Sequence, residues 1–277
     1  MTDVVSTVAN CAGLKVHYRS AGTPENPPVV LLHGGGFDSA GLSWKHTIPA
    51  LADDFRVIAP DLPGYGGSDP PDASVSMEYY VSVLGRFLDA VAIDTTALIG
   101  ISMGGGIALG FALDDPDRVS KLVLVDSYGL GGTVPGGPLG YAFTRLGLTG
   151  LTFSLLSRSR TMTALALRSV IEGKPDDVLV SEAFAGLRRH DGTTWDAFQK
   201  NEVGPWGLRT NYIGRLPDLA VPTLVVHGEH DPIVPVSWAV RAGTLIPDVK
   251  ARLIPNCGHM PPREKPTEFN ELVREFC

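Results

Sequence analysis

Cysteine is scarce in this sequence. The 277 residues contain three cysteines, Cys11, Cys257 and Cys277. Their odd number and wide spacing fit neither a disulfide framework nor a zinc-binding pattern. The fold must therefore be stabilised by a hydrophobic core rather than by covalent or metal crosslinks.

Basic residues and long apolar runs are also few. With 23 Lys and Arg against 30 Asp and Glu, the formal charge is −7, which argues against a nucleic-acid partner. No stretch approaches the roughly 20 apolar residues that span a bilayer, and positions 1–5 do not resemble a signal peptide. We expect a cytoplasmic protein without stable membrane insertion. The oligomeric state stays open.

Short apolar runs alternate with helical patterns along much of the chain. Continuous runs are typical of buried parallel strands, and they occur at 28–32, 55–59, 96–101, 121–125, 222–226 and 251–254. Residues 14–19 alternate instead, as in a half-exposed antiparallel edge strand. Amphipathic helices are predicted at 78–91, 107–113, 238–245 and 266–276. This order predicts an α/β fold with a mostly parallel sheet covered by helices on both faces.

One region interrupts the strand–helix order. Residues 128–213 contain no convincing strand, begin with a Gly- and Pro-rich stretch, and continue as helical patterns rich in Leu and Arg. We interpret them as a helical cap over the carboxyl edge of the sheet, where α/β proteins bind ligands. The core then comprises 1–127 and 214–277. The leucine-rich stretch 146–168 could contact lipid, but a helix facing the protein's own pocket is the preferred interpretation.

The strongest motif is Gly-Ile-Ser-Met-Gly at positions 100–104. An apolar strand leads directly into Ser102 and a helical pattern follows, which predicts a sharp turn that exposes the hydroxyl. The Met103 N–H then lies at a helix N-terminus, where it can donate to an oxyanion. A phosphate-binding turn is the alternative, but neither phosphate-loop pattern is present. Ser68, in a second Gly-rich stretch, has no strand before it.

With His33-Gly34-Gly35-Gly36 after the first parallel strand, the chain resembles the α/β-hydrolase fold family over nearly its whole length outside the cap. The resemblance implies a mostly parallel eight-stranded sheet with a helical cap insertion. It also implies that the N–H of Gly35 joins that of Met103 in the oxyanion hole, with Gly36 as a possible substitute.

A serine nucleophile needs a base, and seven histidines are available: His17, His33, His46, His190, His227, His230 and His259. The resemblance implies His259, in a Gly-His loop after the last strand. It implies Asp231 as the acid, with Asp126 as the alternative because some members place the acid there. His227, Glu229, His230 and Asp231 lack the spacing of a zinc-binding helix, so no metal is expected.

The implied function is hydrolysis of a small, largely apolar ester through a Ser-His-Asp acyl-enzyme mechanism, without any cofactor. An alternative is a carbon–carbon bond hydrolase of the meta-cleavage-product type, which the Gly-rich loop and Ser-Met-Gly-Gly resemble. Those enzymes typically have Asn and Trp where this chain has Ile101 and Met260. Arg188 or Arg189 could bind a dienoate carboxylate. Cofactor-free perhydrolase or haloperoxidase chemistry, and a receptor that retains the triad, are further alternatives.

Overall fold

The computed structural model describes residues 3–134, 137–189 and 192–277, and His190 lies outside these ranges. Over the described residues the strands are β1 (Val5–Cys11), β2 (Leu14–Ala21), β3 (Pro28–Leu32), β4 (Arg56–Pro60), β5 (Thr96–Ile101), β6 (Val119–Val125), β7 (Val203–Gly204), β8 (Gly207–Leu208), β9 (Thr223–Gly228) and β10 (Val249–Ile254).

Eight of these strands form one sheet in the order β1-β2-β4-β3-β5-β6-β9-β10. The pairs β1–β2 and β2–β4 are antiparallel, and the remaining neighbours are parallel. The predicted fold class is therefore confirmed. The predicted edge position of residues 14–19 is wrong, because β1 pairs with β2 and takes the edge. Most β1 side chains are exposed, so β1 lacks the apolar pattern that marks the other strands.

Helices cover both faces of the sheet. They are α1 (Ala40–Ser43), α2 (Thr47–Leu51), α3 (Met77–Ala90), α4 (Met103–Asp114), α5 (Gly137–Arg145), α6 (Leu148–Leu156), α7 (Arg160–Leu167), α8 (Asp177–Arg189), α9 (Thr193–Glu202), α10 (Val236–Leu245), α11 (Pro261–Glu264) and α12 (Pro266–Phe276). Apolar side chains of α3, α4 and α10 form the core on one face. Those of α2 and α12 form the core on the other face.

Helix α4 begins four residues before its predicted start. Its first turn contains three consecutive glycines, which disfavour helix by about 1 kcal/mol each. Close packing overrides that preference, since a Cβ on Gly104 would lie 2.3 Å from the Leu32 carbonyl oxygen. The glycines let the helix approach the sheet directly behind Ser102.

Between β6 and β9 the chain forms α5 to α9 and the short β7–β8 hairpin, which we call the helical segment. The hairpin was not predicted, because each strand has only two residues. The preferred interpretation of 146–168 holds only for some of its apolar side chains. Phe153 and Leu167 are buried, whereas Leu146, Leu151, Leu155, Met162 and Leu165 are exposed. Among the described helices, none is long and apolar enough to cross a membrane.

Candidate active site

Ser102 lies in the turn between β5 and α4 and has φ 53° and ψ −120°. Such a conformation costs a non-glycine residue about 1–3 kcal/mol, so the surroundings must hold it in place. The Ser102 N–H donates to the Val125 carbonyl at 2.9 Å, and the Ser102 carbonyl accepts from Tyr128 N–H at 3.0 Å. A Cβ on Gly100 would lie 2.2 Å from the Gly104 carbonyl oxygen. The glycine spacing that the sequence shows is therefore a steric requirement of this turn.

His259 follows β10 and is hydrogen-bonded to Asp231, with 2.7 Å between Nδ1 and Oδ2. Because a carboxylate accepts at Nδ1, the ring carries its proton there and leaves the Nε2 lone pair available. The His259 backbone N–H donates to the Val170 carbonyl at 2.9 Å. The ring therefore has a defined tautomer, and its loop is tied to the helical segment.

The Asp231 carboxylate is well supplied with donors. Its Oδ1 accepts the backbone N–H groups of Ile233 at 2.7 Å and Val234 at 3.1 Å. Burial acts to raise the pKa of Asp231, but the hydrogen bond and charge of His259 outweigh it and lower that pKa. Asp231 is thus ionised at neutral pH and can stabilise an imidazolium at His259.

Asp126, the alternative acid, lies behind Asp231. One oxygen of each carboxylate and a ring nitrogen of His259 lie within 4.8 Å of one another. The Asp126 side chain is fully buried, and its Oδ1 accepts Gly228 N–H at 2.9 Å. Burial, and then the charge of Asp231, raise the pKa of Asp126 well above its usual range. Two buried carboxylates this close cannot both ionise, so Asp126 is the one that holds a proton.

His227 supports that protonation state. Its Nε2 donates to the Val234 carbonyl at 3.1 Å, and its Nδ1 lies 3.4 Å from Asp126 Oδ1. Burial lowers the pKa of His227, so the ring is neutral and its single proton is on Nε2. The Nδ1 lone pair therefore faces Asp126, an arrangement that favours a protonated carboxyl over a carboxylate.

Gly35 is better placed than Gly36 for the predicted oxyanion hole. Gly34, Gly35, Ser102 and His259 line one cavity of about 190 Å³. The Gly34 N–H is already donated to Asp38 at 2.7 Å. Burial raises the pKa of Tyr65, and the backbone N–H of Gly36 partly offsets that rise, whereas Gly36 does not line this cavity. Among the described residues, the Gly35 N–H has no hydrogen-bond acceptor.

The cavity beside Ser102 is apolar. Its hydrophobic lining comprises Phe37, Ile101, Val170, Trp195, Ile233 and Met260. Among its described lining residues there is no Lys or Arg. Arg188 is exposed and stacks on Phe184, 5.8 Å from the ring centroid, and Arg189 lines two other clefts. Neither arginine proposed for a dienoate carboxylate faces Ser102 in this conformation.

Three contributors to the site were not predicted. Asp38 Oδ2 accepts from Gly34 N–H and from the Ser43 hydroxyl, which fixes the glycine loop. The Glu264 carboxylate accepts the N–H groups of Gly258 at 2.9 Å and Met260 at 2.8 Å, on either side of His259.

The third is Trp195, whose ring covers Gly35 so closely that a Cβ there would lie 2.2 Å from it. For Asp38 and Glu264, the only signal in the sequence is that each acid lies shortly after a predicted loop of the site. Trp195 carried none, because it is distant in the chain.

Ser68 and the candidate metal-ligand cluster also have defined environments in the structure. The Ser68 hydroxyl donates to the Asp61 carbonyl at 2.6 Å and accepts His17 N–H at 2.9 Å, as part of a turn. Glu229 and His230 have about half of their side chains exposed, whereas His227 is buried. The four residues considered as metal ligands therefore do not point to one centre.

Comparison with known proteins decides the family. A family profile described as the α/β hydrolase fold matches residues 27–266. The chain belongs to the α/β-hydrolase fold family.

Within this family, the chain is 31% identical to a 2-hydroxy-6-oxo-6-(2'-aminophenyl)hexa-2,4-dienoic acid hydrolase of Metapseudomonas resinovorans, covering 98% of this chain and 90% of the relative. It is 30% identical to a 2-hydroxy-6-oxo-6-phenylhexa-2,4-dienoate hydrolase of Burkholderia cepacia, with 96% and 92% coverage. A solved serine hydrolase involved in carbazole degradation superposes with a TM-score of 0.81 at 27% identity, covering 99% and 98% of the two chains. The chain is therefore an α/β-hydrolase enzyme.

Proposed function

We propose that Ser102, His259 and Asp231 form a catalytic triad. The observation that carries this proposal is the convergence of Ser102, in its strained turn, and the Asp231-bonded His259 on one cavity. His259 Nε2 takes the hydroxyl proton as Ser102 Oγ attacks a carbonyl carbon. The Gly35 and Met103 N–H groups hold the resulting oxyanion. Residues 128–213 act as the cap that closes the cavity, through Val170 and Trp195.

In the next step the bond from the carbonyl carbon to the leaving group breaks, and His259 returns its proton to that group. Water then enters, His259 removes one of its protons, and the hydroxide attacks the acyl-enzyme. Collapse of this second intermediate releases the acid and returns the proton to Ser102. Protons and electrons balance without any cofactor.

For the bond that is cleaved, we propose the carbon–carbon bond beside a ketone in a 2-hydroxy-6-oxo-dienoate. The support is the names of two relatives that match almost the full length of this chain at 30% and 31% identity. Cleavage requires the 2,6-dioxo tautomer of the substrate, in which the electron pair of the broken bond is delocalised onto the 2-oxo group. The leaving group is then a dienolate, and it takes up the proton from His259. The apolar cavity suits the substituent on the ketone side of the bond.

A small apolar ester is the second candidate substrate, on a specific observation. Ile101 and Met260, which replace the Asn and Trp typical of the carbon–carbon hydrolases, both line the cavity. They make it more apolar, and no cation faces it among the described lining residues. An uncharged acyl group fits such a lining without leaving a buried carboxylate unpaired.

One panel of assays separates these possibilities. Purified enzyme is given a coloured dienoate, followed by its loss of absorbance, and p-nitrophenyl esters of increasing chain length. We expect a higher kcat/KM for the dienoate than for the esters. A fluorophosphonate probe should label the wild type but not Ser102→Ala. Preference for the esters would establish the second candidate. Retention of most activity in Ser102→Ala would contradict the triad.

A further inference from the structure

Helices α5 to α7 each leave large apolar side chains exposed, beside the few residues that they bury. In α5, Leu139 and Phe143 are four positions apart, and Leu146 continues the stripe just beyond the helix. Leu139 is 82% and Leu146 73% exposed. Side chains three or four positions apart share one helix face. The outward stripes of the three helices consist of Leu139, Phe143, Leu146, Leu151, Leu155, Met162 and Leu165.

All charged residues of the same stretch are cationic, although the protein has a net charge of −7. Residues 137–171 contain four arginines and no Asp or Glu. Arg145, Arg158 and Arg168 are exposed, and Arg160 pairs with Asp177 of α8 at 3.6 Å. We call the outward apolar stripes and these arginines the α5–α7 face. Charge and apolarity coincide here, whereas the rest of the protein is acidic.

A cleft adjoins this face where α7 meets α8. It has a volume of about 410 Å³, and its charged lining consists of Arg160, Arg168, Lys174 and Asp177. Leu165 and Val180 form part of its apolar wall. Within the described residues, Arg168 and Lys174 have no ion-pair partner. Two unpaired cations beside an apolar wall match the chemistry of a phosphate group attached to acyl chains.

We propose that the α5–α7 face binds peripherally to the surface of an anionic phospholipid bilayer. Leucines at the boundary of the acyl chains and arginines at the headgroups are the pattern of a surface-bound amphipathic element. A symmetric contact with a second copy fits less well, because a twofold axis would place four arginines against the same four. The acidic remainder of the protein is repelled by such a membrane, which leaves this face as the contact.

The face is directly connected to the candidate active site. Val170, three residues beyond α7, lines the Ser102 cavity, and its carbonyl accepts the His259 N–H. An apolar substrate dissolved in the bilayer would therefore meet the protein next to the cavity. The delivery of an apolar substrate from the bilayer rests on the proposed function, whereas the binding to lipid does not.

The test is co-sedimentation of the full chain with vesicles of pure phosphatidylcholine and of equimolar phosphatidylcholine and phosphatidylglycerol. We expect binding only to the anionic vesicles, decreasing as salt screens the charges. The Arg158→Ala/Arg168→Ala double variant should bind roughly 25-fold more weakly, since each arginine near such a surface contributes about fivefold. The matched control is Arg241→Ala/Arg252→Ala, which removes two exposed arginines from the core.

Apolar contacts are tested in the same way. Leu146→Ser/Leu155→Ser should weaken binding several-fold, and Val240→Ser/Leu253→Ser, which changes two similarly exposed side chains of the core, should not. Equal binding to both vesicle types, or equal losses in test and control variants, would overturn the proposal. So would displacement by inorganic phosphate at constant ionic strength, or a dimer in sedimentation velocity that the leucine variants dissociate. Ser102→Ala should bind vesicles like the wild type. The binding result is therefore independent of whether Ser102 is the catalytic nucleophile.

Discussion

The sheet core and the helical segment differ in how far their apolar side chains are buried. In the core, strands β3, β5 and β9 are buried almost throughout, and helices cover both faces. In the helical segment, α5 to α7 bury only a few residues each and leave large leucines exposed. Every side chain and N–H group of the proposed chemistry comes from a loop at the end of a core strand or, for Met103, from the first residue of α4. The segment contributes apolar walls, through Val170 and Trp195.

This contrast shows a division of tasks that follows from rigidity. A catalytic group must be held within a fraction of an ångström, which buried strands provide. A surface that shapes a pocket can rest on fewer contacts. The predictions below test this division from the largest expected effect to the smallest.

Replacing the acid should have the largest effect. We expect Asp231→Asn to lower kcat by roughly 10⁴-fold, since an amide at this position favours the wrong tautomer of His259. Steady-state kinetics with the preferred substrate measure this loss. Asp126→Asn is the matched control, because it changes the neighbouring acid that already holds a proton, and we expect less than a tenfold loss. A larger loss for Asp126→Asn than for Asp231→Asn would reverse the assignment of the acid.

Core and helical segment should differ in stability. Leu31 has no exposed surface, so Leu31→Ala should lower the free energy of unfolding by about 2–5 kcal/mol. Leu146→Ala, at an exposed position of the segment, should stay within about 0.5 kcal/mol of wild type. Urea denaturation of both variants measures the difference. Similar losses would mean that the segment is packed as tightly as the core.

The contact between core and segment should be sensitive at Gly35. A Cβ there would lie 2.2 Å from the Trp195 ring, so Gly35→Ala must displace the ring or the loop. We expect kcat/KM to fall by roughly 10–100-fold, because a displaced oxyanion donor loses much of its effect. The double variant Gly35→Ala/Trp195→Ala removes the clash and tests which partner moves. Recovery of activity would show that the clash with the ring had displaced the loop, whereas activity as low as that of Gly35→Ala would show that removing the ring does not restore the loop.

The last effect is a pH dependence of stability. Asp126 has a raised pKa in the folded protein, so its contribution is present at low pH and is lost as pH rises above the unfolded value. Asp126→Asn cannot ionise, so its stability relative to wild type should increase from pH 4 to pH 8. The change amounts to about 1.4 kcal/mol for each unit by which the pKa is raised. Thermal and urea unfolding across this range measure it, and a constant difference would contradict a protonated Asp126.

The amino-acid sequence by itself determined the strands of the parallel sheet, the Ser102 turn and the family. These features depend on local patterns: continuous apolar runs, glycine spacing around one serine, and Gly-His after the last strand. Bounds of β3, β5 and α12 were predicted residue for residue. Strand β1 was missed because an exposed edge strand needs no apolar pattern.

Only the tertiary structure decided which distant residues meet. Asp126, His227 and Asp231 are buried together because β6 and β9 are neighbours in the sheet, which no spacing in the chain reveals. Trp195 reaches Gly35 from 160 positions away, and Leu151, Leu155 and Leu165 of α6 and α7 are exposed although their pattern also fits a pocket. Helical periodicity identifies a shared face, but only packing decides whether that face is covered.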